Sequence, residues 1–161
     1  MIRKAERRDL PAMMEIYNEA VRNGTATFDL EERTLEDRTQ WFEAHTGKHV
    51  LLVCERDGQV AGYASLSAYR PKRAYDSTAE LSVYIAPAFR RQGIGRTLME
   101  ALLEHARAEE SLHTVVSVIT GENEASVRLH KSLGFTYCGT VREAGKKFGR
   151  YLGIDTYQIM V

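Results

Sequence analysis

A chain of 161 residues is long enough to build one domain that buries roughly two-thirds of the surface its unfolded form exposes, with no need of disulfide or metal staples. Twenty-two Lys and Arg balance 22 Asp and Glu, so the formal net charge is zero, which argues against a nucleic-acid partner, whose binding rests on excess positive charge. The longest aliphatic run, Val50 to Cys54, falls far short of the roughly 18 residues that would mark a membrane span, and MIRKAERRDL has no apolar stretch of the secretory-signal kind.

Ile2 to Glu6 is a short strand candidate. Asp9 can cap a helix running to about Arg22, with Pro11 in its first turn and Leu10, Met13, Met14 and Tyr17 at helical spacing. Gly24 to Leu30 is irregular, and Thr34 to Asp37 forms a capping box ahead of a second helix through Trp41 and Phe42. Val50 to Glu55 and Gln59 to Ser67 are strands joined at Asp57-Gly58, a pair that favours a tight hairpin turn. Thr78 to Ala86 is another strand, stopped by Pro87. A long helix follows, with Ile94, Leu98, Ala101, Leu102 and His105 on one face. Then come a strand from Thr114 to Ile119, a helix from Glu124 to Leu133 closed by Gly134, and two final strands around Gly145 to Gly149. With no repeat and no linker, the order βααβββαβαββ predicts a single α/β domain over residues 1–161, built on one mixed sheet.

The segment Val83-Tyr84-Ile85-Ala86-Pro87-Ala88-Phe89-Arg90-Arg91-Gln92-Gly93-Ile94-Gly95-Arg96 takes a strand through a proline and a basic, glycine-punctuated turn straight into a helix. Free N–H groups at a helix start attract anions. Gly93 and Gly95 let the backbone approach a ligand, and Arg90, Arg91 and Arg96 add full charges, so a pyrophosphate suits the turn. A P-loop is excluded because Arg90 occupies its first glycine position and Arg96 follows Gly95; a dinucleotide fingerprint fails because Leu98 stands at its third glycine. A basic helix start that binds nothing is the plain alternative.

Arg90-x-x-Gly93-x-Gly95 after a Val-Tyr-Ile strand resembles the acyl-CoA pyrophosphate loop of the GCN5-related N-acetyltransferases, and Asn123-x-x-Ser126-x-x-x-His130-x-x-x-Gly134-Phe135 resembles the segment that packs along pantetheine in that family. Ala74-Tyr75-Asp76, Glu80-x-x-Val83-Tyr84 and Ser126-Val127-Arg128-Leu129-His130 narrow the likeness to the phosphinothricin and methionine sulfone acetyltransferase branch, and Gly139-Thr140 to Asp155 extends it over almost the whole chain. The resemblance implies a mostly antiparallel mixed sheet flanked by about four helices, acetyl-CoA as co-substrate with no metal, and a homodimer. It implies that Val83, Tyr84, Ile85, Arg91, Gln92, Gly93, Ile94, Gly95, Arg96, Asn123 and Ser126 hold the cofactor.

An amine must be neutral to attack a thioester, so a base beside it is useful. Alternation along the strand puts Glu80, Ser82 and Tyr84 on one side and Ala79, Leu81, Val83 and Ile85 on the other. In the resembled branch the glutamate matching Glu80 is the proposed base, acting directly or through water; on the residues alone it reads as a solvated glutamate on the polar face of a half-buried strand. Backbone N–H groups near Tyr84 and Ile85 are candidates for stabilising the developing oxyanion. His130 stands where many relatives carry a tyrosine acid, and it reads either as that general acid or as a neutral hydrogen-bonding partner in the helix packing. Asn123 can cap its helix and also bind pantetheine.

Tyr69-Arg70-Pro71-Lys72-Arg73-Ala74-Tyr75 puts three cations and two aromatics on a loop, and arginine suits bidentate capture of a carboxylate. In the resembled branch this loop and the stretch near Phe28 line the acceptor pocket, so Arg73, Ala74, Tyr75, Arg70 and Phe28 are the expected acceptor-binding residues; a solvated basic loop is the alternative. Phe148 and Tyr151 depart from the branch, where a histidine and a tryptophan are common. Cys54 and Cys138, without metal-ligand spacing, fit reduced thiols in a cytoplasmic protein. The leading expectation is an enzyme that acetylates the α-amine of a small polar amino acid such as methionine sulfone, methionine sulfoximine or phosphinothricin. A different amine acceptor, such as a protein N-terminus or an aminoglycoside, and a CoA-binding regulatory module without turnover are the alternatives.

Overall fold

Seven strands and four helices alternate along the chain in the computed structural model, which describes all 161 residues. The strands are β1 (Ile2–Lys4), β2 (Leu51–Arg56), β3 (Gln59–Ala68), β4 (Thr78–Ile85), β5 (Thr114–Thr120), β6 (Thr136–Lys147) and β7 (Arg150–Met160), and they form one sheet in the order β1-β2-β3-β4-β5-β7-β6. Every neighbouring pair is antiparallel except β4 and β5. The helices are α1 (Leu10–Asn23), α2 (Leu35–Glu43), α3 (Ile94–Ala108) and α4 (Glu124–Ser132). This is the order of elements that the sequence predicts.

Both faces of the sheet are covered, which is why β2 reads as a continuous apolar run and not as an alternation. Leu52 and Cys54 of β2, Ala64 and Leu66 of β3, and Ala79 and Leu81 of β4 pack on α3 through Leu98, Met99, Leu102 and Leu103. Val53 and Tyr63 face the other way, onto Leu10, Met13 and Tyr17. Leu98, Met99 and Leu102 are wholly buried, so the α3 stripe contributes about 1.5–3 kcal/mol per side chain to holding the helix, and the turn before it, in place.

Two local details differ from the sequence reading. Asp9 does not cap α1: it closes a one-turn 3-10 helix, Arg7–Asp9, and its Oδ2 accepts the Glu6 N–H at 2.7 Å. The guanidinium of Arg3 donates to both its oxygens at 2.7 and 2.9 Å and holds its carboxyl below the usual range. The final hairpin is also longer than the glycines at 145 and 149 suggest. Its turn is Phe148-Gly149, both at positive φ, and Gly145 lies within β6. A Cβ at Gly145 would meet Phe28 Cε2 at 2.5 Å, so the glycine makes room for that ring. The Thr34–Asp37 capping box forms as expected, with reciprocal bonds of 3.0 and 3.1 Å.

Candidate active site

The parallel pairing of β4 with β5 covers only Thr78 to Glu80 against Thr114 to Val116. Beyond it β5 continues beside β7, and the Val83–Ile85 edge of β4 has no strand partner on that side. A cavity of about 50 Å³ fills the gap, lined by Ser82, Val83 and Tyr84 on one wall and by Ser117, Asn123 and His130 on the other. Val83 and Ile85 pack their side chains against the α3-side core, so it is their main chain that faces the gap.

The gap leads to the start of α3. A 3-10 turn, Pro87–Phe89, follows β4, and Arg91 and Gly93 then take positive φ before Ile94 begins the helix. This turn leaves the first N–H groups of α3 without intrahelical partners. The buried Ile94 side chain anchors the turn in the core, so only its backbone is available to a ligand. Gly95 packs close under α4, where a Cβ would sit 3.4 Å from Leu129. Arg90 is paired with Glu19 at 2.8 Å, and Arg96 bonds Glu100 and Ser132. Arg91 has no such partner, and the Gln92 amide bonds only the Ala88 carbonyl at 3.5 Å. At the start of α4, Asn123 Oδ1 accepts the Ser126 N–H at 3.4 Å, the capping bond expected of it.

On the other side of β4 lies a larger cavity of about 530 Å³, walled by α1, α2, β3 and β4. Glu80, Ser82 and Tyr84 line it, as the alternation predicts, with Ser67 directly across from Glu80 in the β3–β4 register. Burial raises the Glu80 carboxyl above the usual carboxylate range, opposed by the charge of Arg70. His45 Nδ1 lies 2.6 Å from the Trp41 carbonyl and therefore donates to it, leaving Nε2 to accept from Ser67 Oγ at 2.7 Å. Burial is the main force lowering the His45 pKa. Ser82 and Tyr84 line both cavities, so the two spaces meet on β4.

Arg38, for which the sequence offers no functional signal, also lines the larger cavity. Its guanidinium lies 3.5 Å over the Trp41 ring and donates from Nη2 to Tyr63 Oη at 3.1 Å, while Nε has no partner and no carboxylate pairs with the group. The side chain is 6% exposed. A desolvated cation–π contact is worth about 2 kcal/mol, which is less than the several kcal/mol that taking a lone charge out of water costs.

His130 is buried against Phe135 and Tyr157. Its Nδ1 is 2.7 Å from the Ser126 carbonyl and so carries the proton, which leaves Nε2 as an acceptor without a partner. Ser117 Oγ is likewise unpartnered on the same small cavity. Burial lowers the His130 pKa, opposed by the Ser126 carbonyl. The ring is therefore neutral and offers a lone pair to the gap.

A splayed β4–β5 pair, an anion-ready turn into α3 and a cavity lined by Glu80 across β4 fit acyl transfer from a thioester carrier. The model of the acetyltransferase (GNAT) domain matches residues 2–155. This chain belongs to the GNAT acetyltransferase family. As a GNAT enzyme, it is 40% identical to the L-methionine sulfoximine/L-methionine sulfone acetyltransferase of Pseudomonas paraeruginosa over 98% of this chain and 92% of that one. The ribosomal-protein-alanine N-acetyltransferase of Brucella melitensis superposes on it with a TM-score of 0.96 at 44% identity, covering 100% of this chain and 99% of the other. The phosphinothricin acetyltransferase of Sinorhizobium meliloti, solved in complex with AcCoA, gives a TM-score of 0.96 at 33% identity over 100% and 88%.

Within this acetyltransferase Arg70, one of the expected acceptor residues, is close enough to Glu80 for its charge to act on that carboxyl. Arg70, Arg73, Ala74, Tyr75 and Phe28 are absent from the wall of the 530 Å³ cavity. Arg73–Tyr75 is an exposed 3-10 turn, Arg70 lies 4.8 Å over the Tyr69 ring, and Phe28 is docked at Gly145. Arg38, Trp41, His45, Tyr63 and Ser67 form the wall instead. Their only sequence signal was the polar first turn of α2 followed by Trp41.

Proposed function

We propose that this acetyltransferase moves the acetyl group of acetyl-CoA to the α-amine of a small polar amino acid or analogue, of the methionine sulfone, methionine sulfoximine or phosphinothricin type, with both substrates bound at once. The observation that carries the proposal is the meeting of the two cavities at Ser82 and Tyr84, with Glu80 on the acceptor side. The names of the Pseudomonas and Sinorhizobium relatives support the acceptor class and the acetyl donor.

When bound, acetyl-CoA supplies an activated acetyl carbon. The N–H groups of Ile94, Gly95 and Arg96 at the start of α3 hold its pyrophosphate, with the Arg91 and Arg96 charges beside them. The unpaired main chain of Val83 to Ile85 receives the pantetheine amides as an added strand, with Asn123 and Ser126 on the far wall. The outward-facing N–H groups of this stretch, those of Val83 and Ile85, face the charge that develops on the carbonyl oxygen. Glu80 takes the proton of the attacking amine, directly or through water; its raised pKa brings it nearer to that of an α-amine, about 7.7–8.0. Positioning both reactants can lower the barrier by as much as roughly 7–11 kcal/mol. With Nδ1–H committed to Ser126, His130 accepts a hydrogen bond in the gap; acting as the acid toward the leaving thiolate would first require protonation, which burial opposes.

Thiol release from acetyl-CoA across an amine panel tests this reading. Methionine sulfone and phosphinothricin should be turned over with the highest kcat/KM. The name of the Brucella relative favours a second reading, a protein N-terminus as acceptor, so a peptide beginning with alanine belongs in the panel. Preference for that peptide would overturn the amino-acid assignment, and no release with any amine would leave only CoA binding. We also propose a cytoplasmic homodimer: Cys54 and Cys138 are both free thiols, and β6 presents an open edge.

A further inference from the structure

Arg38 is the one buried arginine that no carboxylate compensates. Arg3 pairs with Asp9 and Glu55, and the aspartates that share the cavity wall with Arg38 are engaged elsewhere. Asp29 is bridged by Arg33 at 3.1 Å and accepts the Tyr17 hydroxyl, while Asp37 is held in the Thr34 capping box. A guanidinium has five N–H donors, and only one of those of Arg38 is used within the protein. The group is held between rings, its central carbon 3.5 Å from the Trp41 ring centroid and 4.7 Å from that of Tyr17. It is therefore a pre-placed oxygen receptor facing a cavity large enough for an amino acid.

Its position says which oxygens it meets. Trp41 separates Arg38 from His45, with ring centroids 4.9 Å apart, and His45 bonds Ser67, which lies across from Glu80. Arg38 is thus at one end of the row Arg38, Trp41, His45, Ser67, and the base is at the other. The amine reaches the acetyl carbon where the two cavities meet, at Ser82, between Glu80 and the Tyr84 that stands across from Tyr63, and the α-carboxylate, one carbon away, stays near it. The far end of the side chain is what reaches Arg38.

Resting on the acceptor class proposed above, we propose that Arg38 is a specificity-determining residue that binds the oxygen-bearing terminus of the acceptor side chain: a sulfone, phosphinate or carboxylate. Arg38→Gln keeps a flat group over Trp41 and a donor toward Tyr63, and Arg38→Lys keeps the charge without the planar fork.

The measurement is kcat/KM with acetyl-CoA for methionine sulfone, its amide, and norleucine, whose side chain carries no oxygen. In the wild type methionine sulfone is preferred over norleucine. In Arg38→Gln that preference falls by on the order of 10- to 100-fold, with a smaller fall in Arg38→Lys, and the cost is the same for methionine sulfone amide. If all three acceptors slow by one common factor, Arg38 is a packing residue and the proposal is wrong. If the cost disappears on the amide, Arg38 holds the α-carboxylate, which also overturns it. A wild type that acetylates none of the three sinks the underlying acceptor class and takes this proposal with it, an outcome distinct from a preserved ratio.

Discussion

Glu80 owes its chemistry to two neighbours along its own strand. Ala79 and Leu81 are drawn into the core, which turns Glu80 outward to the cavity and buries it enough to raise its pKa. A raised carboxyl is protonated further up the pH scale, so the base form is gained only as pH climbs through the elevated value. The acidic limb of kcat/KM should therefore lie above the ordinary carboxylate range. Arg70→Ala should move that limb higher, since the Arg70 charge is what opposes the shift. Glu80→Gln should remove the limb and lower kcat by on the order of 10²–10⁴. A pH profile of unchanged shape and height in Glu80→Gln would take the residue out of the mechanism. This residue is legible in the sequence because β alternation is local, set by the seven consecutive side chains of Ala79 to Ile85. Arg38 is not, because nothing within the first turn of α2 signals that Tyr17 and Tyr63, from α1 and β3, close over it.

At the scale of elements, the β6–β7 hairpin is where sequence and structure part most. The alternation and glycines of 136–160 indicate two strands, but the register is broken twice, between Tyr137 and Gly139 and between Val141 and Gly145. The seating of the hairpin depends on contacts about 120 residues away in sequence. Lys147, 3% exposed, donates to the carbonyls of Ala20 and Thr27, and Gly145 receives Phe28. No local pattern encodes those partners, so the docking of the Phe28 ring at Gly145 is not legible in the sequence. The outer side of the hairpin carries exposed Tyr137, Val141, Phe148 and Tyr151 beside the open β6 edge. Apolar side chains along an unpaired edge invite a second chain. The mass in solution should be twice 18.2 kDa, and Val141→Asp should shift it toward one copy. A wild type of 18.2 kDa by light scattering would count against the dimer.

Over the whole molecule the zero net charge conceals an uneven distribution. Two cations without an acidic partner, Arg91 at the start of α3 and Arg38 in the acceptor cavity, stand at the two proposed binding sites, while Arg3, Arg22 and Arg33 are spent in ion pairs. The fold is legible from the order of elements because each helix and strand has its own periodicity. The meeting of two cavities on one strand is not, since it arises from the parallel pairing ending at Glu80 and Val116. The central claim is that an acetyl group crosses from one side of that strand to an amine on the other without stopping on the protein. Mass spectrometry of a reaction with acetyl-labelled acetyl-CoA and methionine sulfone tests it most directly. The account predicts labelled acetyl on the α-nitrogen of the amino acid, one free CoA thiol per product, and no label on the protein when the amine is withheld. Label retained on the protein, or an unmodified amino acid, would contradict it.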